Sequence, residues 1–558
     1  MKSGRKYAVK CLFIAFIAIA NQALGQSTCT VIDTSLNLTL SENATNQWTI
    51  YKAPIEMALE AGTKGILDYS VPKQVRAWLG VMAPAFSVMA YHTDSSLDFF
   101  GRNDFINRRC STDETAILEA QALESFAYAY LWSLQKFVPE WSDIVSEYAA
   151  QISVDLSLCS DLNTNECSPT NPIGLARILF LEVENVFNND GWNADGSMTK
   201  TYNALEFEDW RKMNDQPNPD ALCTSDWKAN NEACSFWTFD FDDRVCWTAQ
   251  ELQINEKIYK EKYAFLHVHD SGRSYFLGDE EICNLDADYP CYNSMGEQAD
   301  EVIRRLRESN DNNRAKVEFF NNVWNWMNLF VMEKYDNSDG FSQWQIIQSI
   351  TATTASMYES TLVALKNKLQ HGMIRPKSLI RKIRKGTEIS AWLGPNLGVG
   401  QIDGSEWVPY LKDDPYPESP TLKGCLCAAF TTSMESFTGS PSIGFTIQVT
   451  REEGSSEIEV GEPSSDQDFS FSTWDQILTQ CGESMLNSGN HFEKSFDIAE
   501  SLCTSSASKV LKTFEDMEGG IIPDYVVDLD DLSFTKTRCD TRGDISFEIT
   551  FGKTDGNE

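Results

Sequence analysis

The chain has little positive charge and few apolar runs of any length. Its 558 residues contain 46 Lys and Arg against 82 Asp and Glu, which gives a formal net charge of −36. Such a polyanion is a poor binder of nucleic acid and of acidic lipid, because both are anions. Beyond the first 20 residues there is no apolar run near the roughly twenty residues that a membrane-spanning helix needs. The sequence also lacks an internal repeat at solenoid spacing. We therefore expect a soluble chain with no nucleic-acid partner and no membrane partner.

The N-terminus has the organisation of a secretory signal peptide. Four cations precede a short apolar stretch, CLFIAFIAIA (residues 11–20), which is followed by the small-residue site Ala23-Leu24-Gly25. This pattern predicts that residues 1–25 are removed and that the protein is extracellular. An uncleaved membrane anchor is the alternative. Removal of the four cations would change the formal charge from −36 to −40.

Cysteine usage agrees with secretion. Of 15 cysteines, one lies in the signal segment, and the remaining even number allows up to seven disulfides. Cys425 and Cys427 are only two positions apart, so we expect each to pair elsewhere. The sequons that begin at Asn37 and Asn43 predict glycosylation near the start of the mature chain.

Helical periodicity dominates the chain. Amphipathic helices are predicted over residues 113–154 (with a break near Pro139), 170–187, 296–309, 313–334 and 343–370. Residues 443–472 alternate apolar and polar side chains, which predicts a β-hairpin. Residues 215–250 and 270–294 are rich in Cys, Asp, Asn and Trp, which is typical of disulfide-tied loops. These patterns suggest an N-terminal helical domain (26–250), a C-terminal helical bundle (251–538) and a polar tail (539–558).

Three stretches point to a function. They are KLQHGMIRPKSLIRKI (368–383), EWVPYLKDDPYPESPTLKG (406–424) and SMLNSGNHF (484–492). Their order and gaps resemble the signature of the vanadium-dependent haloperoxidase and acid phosphatase (phosphatidic acid phosphatase type 2) superfamily. That signature is Lys, six residues, Arg-Pro; then Pro-Ser-Gly-His; then Ser-Arg, five residues, His, three residues, Asp. The upstream stretch NPIGLARILFLEVENVFNNDGWNADGS (171–197) also resembles the N-terminal domain of these proteins.

The resemblance implies a fold and a ligand. The fold would be mainly α, with two helical bundles of the vanadium haloperoxidase type, a small β-hairpin insertion and disulfide-tied loops. The ligand would be an oxyanion, either vanadate or phosphate, and the co-substrates would be peroxide and halide. Lys368 and Arg375 match the cations that hold the oxyanion, and His491 matches the residue that bonds vanadium or phosphorus. Thr421 and Ser484 match two hydroxyl donors.

The sequence departs from the signature at five positions, and at one of them Thr421 replaces the loop serine but keeps a hydroxyl donor. Lys423 stands where the family has its acid–base histidine, Leu422 replaces the loop glycine, Met485 replaces an arginine, and Ser495 replaces the final aspartate. A lysine ordinarily titrates near 10.4 and a histidine near 6.5, so Lys423 is a poor proton-transfer group at neutral pH. It lies in the first turn of a predicted helix that begins after Thr421, where it would help to hold an anion or would point to solvent.

Three interpretations remain open. The first is a secreted haloperoxidase-like protein that binds an oxyanion and has weak or no halide oxidation, with His491 and Lys423 as its candidate catalytic residues. The second is a non-catalytic scaffold or interaction protein with a decayed pocket. The third is a competent peroxidase or an acid phosphatase-like hydrolase. His267 and His269 are a separate candidate metal pair, and a strand end is the simpler interpretation of that stretch.

Overall fold

The computed structural model describes eleven stretches of the chain. They are residues 40, 44–61, 71–92, 98–99, 115–159, 167–168, 171–188, 295–338, 340–371, 375–412 and 418–518. The predicted signal peptide, the sequon asparagines Asn37 and Asn43, the stretches 215–250 and 270–294, His267, His269 and the tail 539–558 all lie outside the described residues.

The N-terminal half contributes five described α-helices. They are α1 (Gln47–Glu60), α2 (Val71–Tyr91), α3 (Thr115–Phe137), α4 (Ser142–Gln151) and α5 (Pro172–Asn188). The predicted break near Pro139 is present, since a short 3-10 turn, Pro139–Trp141, separates α3 from α4. Proline is tolerated in a first turn because its missing N–H has no intrahelical partner there.

The described residues of the C-terminal half form eight further helices and two hairpins. The helices are α6 (Met295–Glu308), α7 (Asp311–Asn321), α8 (Val323–Asp336), α9 (Gln343–His371), α10 (Pro376–Ile383), α11 (Leu422–Thr438), α12 (Trp474–Asn487) and α13 (Glu493–Glu518). The strands are β1 (Glu388–Trp392), β2 (Val399–Asp403), β3 (Ser442–Arg451) and β4 (Gln467–Thr473).

One predicted helix is two helices in the structure. The stretch 313–334 is interrupted at Asn322, which ends α7 and is the N-cap of α8. The side-chain oxygen of Asn322 accepts a hydrogen bond from the backbone N–H of Asn325. Asparagine competes well for such a position because its short amide satisfies an otherwise unpaired helix N–H. The apolar periodicity continues through Asn322, so the sequence pattern does not reveal the break.

The predicted β-hairpin is confirmed as the antiparallel pair β3–β4, in which Ile447 lies opposite Phe471 and both are buried. A second antiparallel pair, β1–β2, was not predicted. It is short and turns through Gly394 and Gly398, both with positive φ. Only one end of β1 is buried, so its sequence has too little alternation to signal a strand.

Buried side chains of both halves form one continuous core. The rings of Trp78 in α2 and Trp324 in α8 pack edge-to-face with centroids 4.2 Å apart. Helix α9 lies at the centre and packs against α2, α11 and α13. Among the described helices, none is long and apolar enough to cross a membrane.

Three disulfides tie described residues together. Cys425 pairs with Cys503 and Cys427 pairs with Cys481, which confirms that these two near neighbours pair elsewhere. Both bonds start in α11, and they connect it to α13 and α12. The third bond joins Cys159 to Cys167.

Candidate functional site

Four chain segments meet at His491. Lys368 lies in the last turns of α9, and Arg375 is the N-cap residue of α10, directly before Pro376. Residues 418–421 lead into α11, and the turn between α12 and α13 carries His491. This turn contains Gly489 at φ +80°, where a side chain would also crowd Pro409. The turn therefore needs glycine, because L-residues rarely adopt that backbone conformation.

Two basic side chains are fully buried beside the histidine. Lys368 and Arg375 are both 0% exposed. The Nζ atom of Lys368 donates to the backbone oxygen of Glu418 at 2.7 Å. A guanidinium nitrogen of Arg375 donates to the backbone oxygen of Asn490 at 3.1 Å and lies 3.5 Å from Nδ1 of His491. Buried cations are costly unless negative charge compensates them, so this arrangement favours an anion.

Glu418 is the functional candidate that the sequence analysis missed. It is 0% exposed, and its Oε1 atom lies 3.1 Å from Nδ1 of His491 and 3.2 Å from the backbone nitrogen of Phe492. Its Oε2 atom accepts a hydrogen bond from the hydroxyl of Ser495. The sequence signal was present, since a carboxylate stands two residues before Pro420 in PYPESPTLKG. Lys368, Arg375, Glu418 and His491 are called the His491 cluster below.

The electrostatics of the His491 cluster keep the histidine neutral. Burial, together with the nearby charges of Arg375, Lys368 and Lys423, holds the pKa of His491 well below its ordinary value. Burial raises the pKa of the Glu418 carboxyl, and Arg375 and Lys368 oppose that shift. A neutral imidazole retains one ring nitrogen with a free lone pair, which is what a ligand or nucleophile requires.

Lys423 does not point to solvent. It is 6% exposed, and its Nζ atom donates to the side-chain oxygen of Asn321 in α7 at 2.6 Å. The solvent-facing interpretation of this lysine is therefore wrong. Its charge is nevertheless close enough to contribute to the lowered pKa of His491.

The two predicted hydroxyl donors differ. Thr421 is the N-cap of α11, as predicted, but its Oγ1 atom is buried and has no hydrogen-bond partner among the described residues. The hydroxyl of Ser484 donates to the backbone oxygen of Cys481 at 2.7 Å, so its proton is used within α12. Leu422 and Met485, the residues that replace the loop glycine and the arginine, are both 1% exposed.

A pocket of about 350 Å³ reaches His491 from the surface. It lies between α6 and the start of α13, and three carboxylates line it: Glu297, Glu301 and Glu493. We call these three residues the pocket rim. Arg305 bridges part of the rim, with one nitrogen 2.7 Å from Glu301 and another 3.6 Å from Glu493.

The donor set at His491 fits an oxyanion such as vanadate. Two buried cations, the unpartnered hydroxyl of Thr421 and the N-terminal N–H groups of α11 are all donors to negative oxygen. In the described part of the chain, no three His, Cys, Asp or Glu side chains group together in a way that would hold a metal cation.

One part of the chain matches a known family model. Residues 348–520 match the family model described as the VCPO second helical-bundle domain, a range that contains every residue of the His491 cluster. No curated protein sequence matches the chain significantly.

Three solved bacterial structures share the fold. A holo-type vanadium-dependent chloroperoxidase aligns with a TM-score of 0.65 and 18% identity, over 87% of this chain and 100% of its own. An apo-type vanadium-dependent chloroperoxidase aligns with a TM-score of 0.64 and 18% identity, over 82% and 95%. A vanadium-dependent iodoperoxidase aligns with a TM-score of 0.50 and 12% identity, over 83% and 96%. The mainly helical architecture expected from the sequence is thus confirmed, and the chain has the fold of these vanadium-dependent haloperoxidases over most of its length.

Proposed function

We propose that this protein binds a tetrahedral oxyanion, vanadate or phosphate, at the Nε2 atom of His491. The observation that carries the proposal is the convergence of two fully buried cations, Lys368 and Arg375, on a histidine held neutral. The similarity to vanadium-dependent chloroperoxidases supports vanadate as the biological ligand. When bound, vanadate would supply activation of peroxide for halide oxidation.

Each residue of the proposed site would make a different contact with the anion. His491 bonds the anion, Lys368 supplies a point charge and Arg375 a planar fork that suits two oxygens at once. Thr421 offers a free hydroxyl at the start of α11, where the helix dipole also favours negative charge. Lys423 adds long-range positive charge from its position beside Asn321.

Halide oxidation is expected to be weak or lost. A lysine ammonium is a donor with no lone pair, so Lys423 does not replace a histidine that both gives and takes protons. Met485 also removes a charge-assisted contact worth roughly 1.5–3 kcal/mol. We therefore expect a protein that binds the oxyanion but has a lysine in place of the proton-transfer histidine.

Calorimetric titration with vanadate tests this proposal. Wild-type protein should bind, His491→Ala should not, and Lys423→His/Met485→Arg should bind more tightly. Peroxide-dependent halide oxidation is then assayed with the same three proteins, and the double variant should gain turnover. Absence of binding by the wild type and by the double variant would refute the oxyanion site.

The second candidate is a non-catalytic scaffold. It is favoured by the contact of Lys423 with Asn321, which holds the lysine against α7, and by the buried Met485. Binding by the double variant alone would support it, because the fold would then be intact and the natural anion site lost. Hydrolysis of a phosphate ester that stops in His491→Ala would instead identify an acid phosphatase-like hydrolase.

A further inference from the structure

The two oxygens of Glu418 have different partners. Oε1 receives the backbone N–H of Phe492 at 3.2 Å and lies 3.1 Å from Nδ1 of His491. Oε2 is paired with the hydroxyl of Ser495. A backbone N–H is always a donor, so Oε1 is an acceptor in this arrangement.

The position of the imidazole hydrogen follows from that acceptor. An accepting oxygen 3.1 Å from Nδ1 requires a hydrogen on Nδ1. A neutral imidazole carries one ring hydrogen, so Nε2 keeps its lone pair. His491 also lines the 350 Å³ pocket, and Nε2 has no hydrogen-bond partner among the described residues.

This assignment holds for the ionised Glu418, and for the protonated carboxyl when its hydrogen lies on Oε2. If the carboxyl is protonated, its hydrogen can lie on Oε2, where the Ser495 hydroxyl is able to accept as well as donate. Oε1 remains an acceptor in both cases. Arg375 does not compete strongly at Nδ1, because the separation is 3.5 Å and the same nitrogen donates to Asn490 at 3.1 Å.

We propose that Glu418 is a positioning residue that holds His491 in the Nδ1–H tautomer and directs the free lone pair of Nε2 toward the pocket. Glu418 thereby supplies, from the segment before α11, the carboxylate that the chain lacks at Ser495. The tautomer follows from the hydrogen bonds alone, while its consequence for anion binding rests on the proposed function. Outer hydrogen bonds of this kind set which ring nitrogen is available to a ligand.

Nitrogen NMR on the full chain labelled with ¹⁵N-histidine tests the tautomer directly. The chain has only five histidines, and the signals of His491 are those that disappear in His491→Gln. The wild type should show a protonated Nδ1 and a bare Nε2 for this residue. A protonated Nε2 in the wild type would overturn the proposal without any variant at Glu418.

Two variants separate the acceptor from the charge. In Glu418→Gln, the amide oxygen can still accept from Nδ1 and from Phe492 while the amide nitrogen donates to Ser495, so the Nδ1–H signature should remain. Glu418→Met has similar volume but no acceptor, so the signature should be lost while the other histidine signals stay in place. Retention of the signature in Glu418→Met would exclude a positioning role.

Vanadate titration of the same variants links the tautomer to binding. Glu418→Gln should bind at least as tightly as wild type, because it removes a negative charge beside the anion. Glu418→Met should bind at least tenfold more weakly, and equal affinity would overturn the link. If the NMR result holds and no protein binds vanadate, the proposed function fails while the positioning role of Glu418 stands.

Discussion

The Oε1 atom of Glu418 lies 3.1 Å from Nδ1 of His491, although the two residues are 73 positions apart in the chain. The backbone oxygen of the same glutamate accepts a hydrogen bond from Lys368. Arg375 donates to the backbone oxygen of Asn490, the residue before the histidine. Two cations, a carboxyl and an imidazole thus share one buried volume. Each charge in the His491 cluster depends on the others, because water does not screen them there.

The free energy of unfolding should decrease as the pH is lowered below the ordinary histidine pKa. The folded-state pKa is lowered well below 6.5, so the unfolded chain takes up a proton near pH 6.5 and the folded chain does not. The contribution is therefore present above pH 6.5 and is lost as pH falls toward the folded pKa, by up to about 1.4 kcal/mol per pH unit. Urea unfolding at pH 7, 6 and 5 should show this slope in wild type, reduced in His491→Gln.

Glu418 acts in the opposite direction and provides a control. Its folded pKa is raised above 4.5, so its contribution is present below pH 4.5 and is lost as pH rises through the folded value. The same comparison is therefore repeated in a Glu418→Gln background, where the contribution of Glu418 is removed and that of His491 remains. An identical slope with and without His491 in that background would show that the histidine is not held neutral.

Gly482→Ala should destabilise the contact between α12 and α13. A Cβ atom at Gly482 would overlap the ring of Phe496, and a Cβ at Gly424 would lie 2.9 Å from another atom of the same ring. The half-buried ring lies against both glycines, so an added methyl group forces it to shift. We expect a loss of about 1–3 kcal/mol in the free energy of unfolding, measured by urea titration.

Gly296→Ala is the matched control for this overlap. A Cβ atom at Gly296 meets nothing within 4 Å, and alanine is favoured over glycine in a helix. This variant should be as stable as wild type or slightly more so. Equal losses in both variants would show that the cost comes from the backbone and not from Phe496.

Removal of the Cys427–Cys481 disulfide should cost more stability than removal of Cys159–Cys167. The first bond closes a separation of 54 residues and the second closes one of 8. Loop-closure entropy alone makes the longer bond roughly 1.5–2 kcal/mol more stabilising. Paired Cys→Ser variants compared by urea unfolding measure the difference, and a larger loss from the shorter loop would contradict it.

The pocket rim should slow the arrival of an anion. Replacing two of its carboxylates, Glu297→Gln/Glu493→Gln, reduces the negative charge on the path to His491. The association rate of vanadate should rise several-fold at low ionic strength, and the gain should shrink as salt screens the charges. Stopped-flow binding at two salt concentrations measures the effect.

Glu452→Gln/Glu453→Gln is the control for net charge. Both residues are exposed in the β3–β4 connection and do not line the pocket. The pair removes the same charge from the protein as the rim variant. An equal rate increase would assign the effect to overall charge and not to the rim.

Local patterns determined most of the secondary structure. The apolar period predicted the helices that became α3 to α9, except for the break at Asn322, and the alternation at 443–472 predicted β3–β4. Spacing also singled out Lys368, Arg375 and His491, which do lie together. These features are visible in the sequence because each depends on neighbours within a few turns or on a family signature.

The identity of the distant groups that share a buried space depends on how the helices pack. Glu418 contacts His491 and Ser495 because the turn after α12 lies beside it. Lys423 donates to Asn321, which lies on a helix about a hundred residues earlier in the chain. No periodicity encodes such pairs. A buried charge takes the partners that the packed helices bring within hydrogen-bond distance, and that distance is set by the fold as a whole.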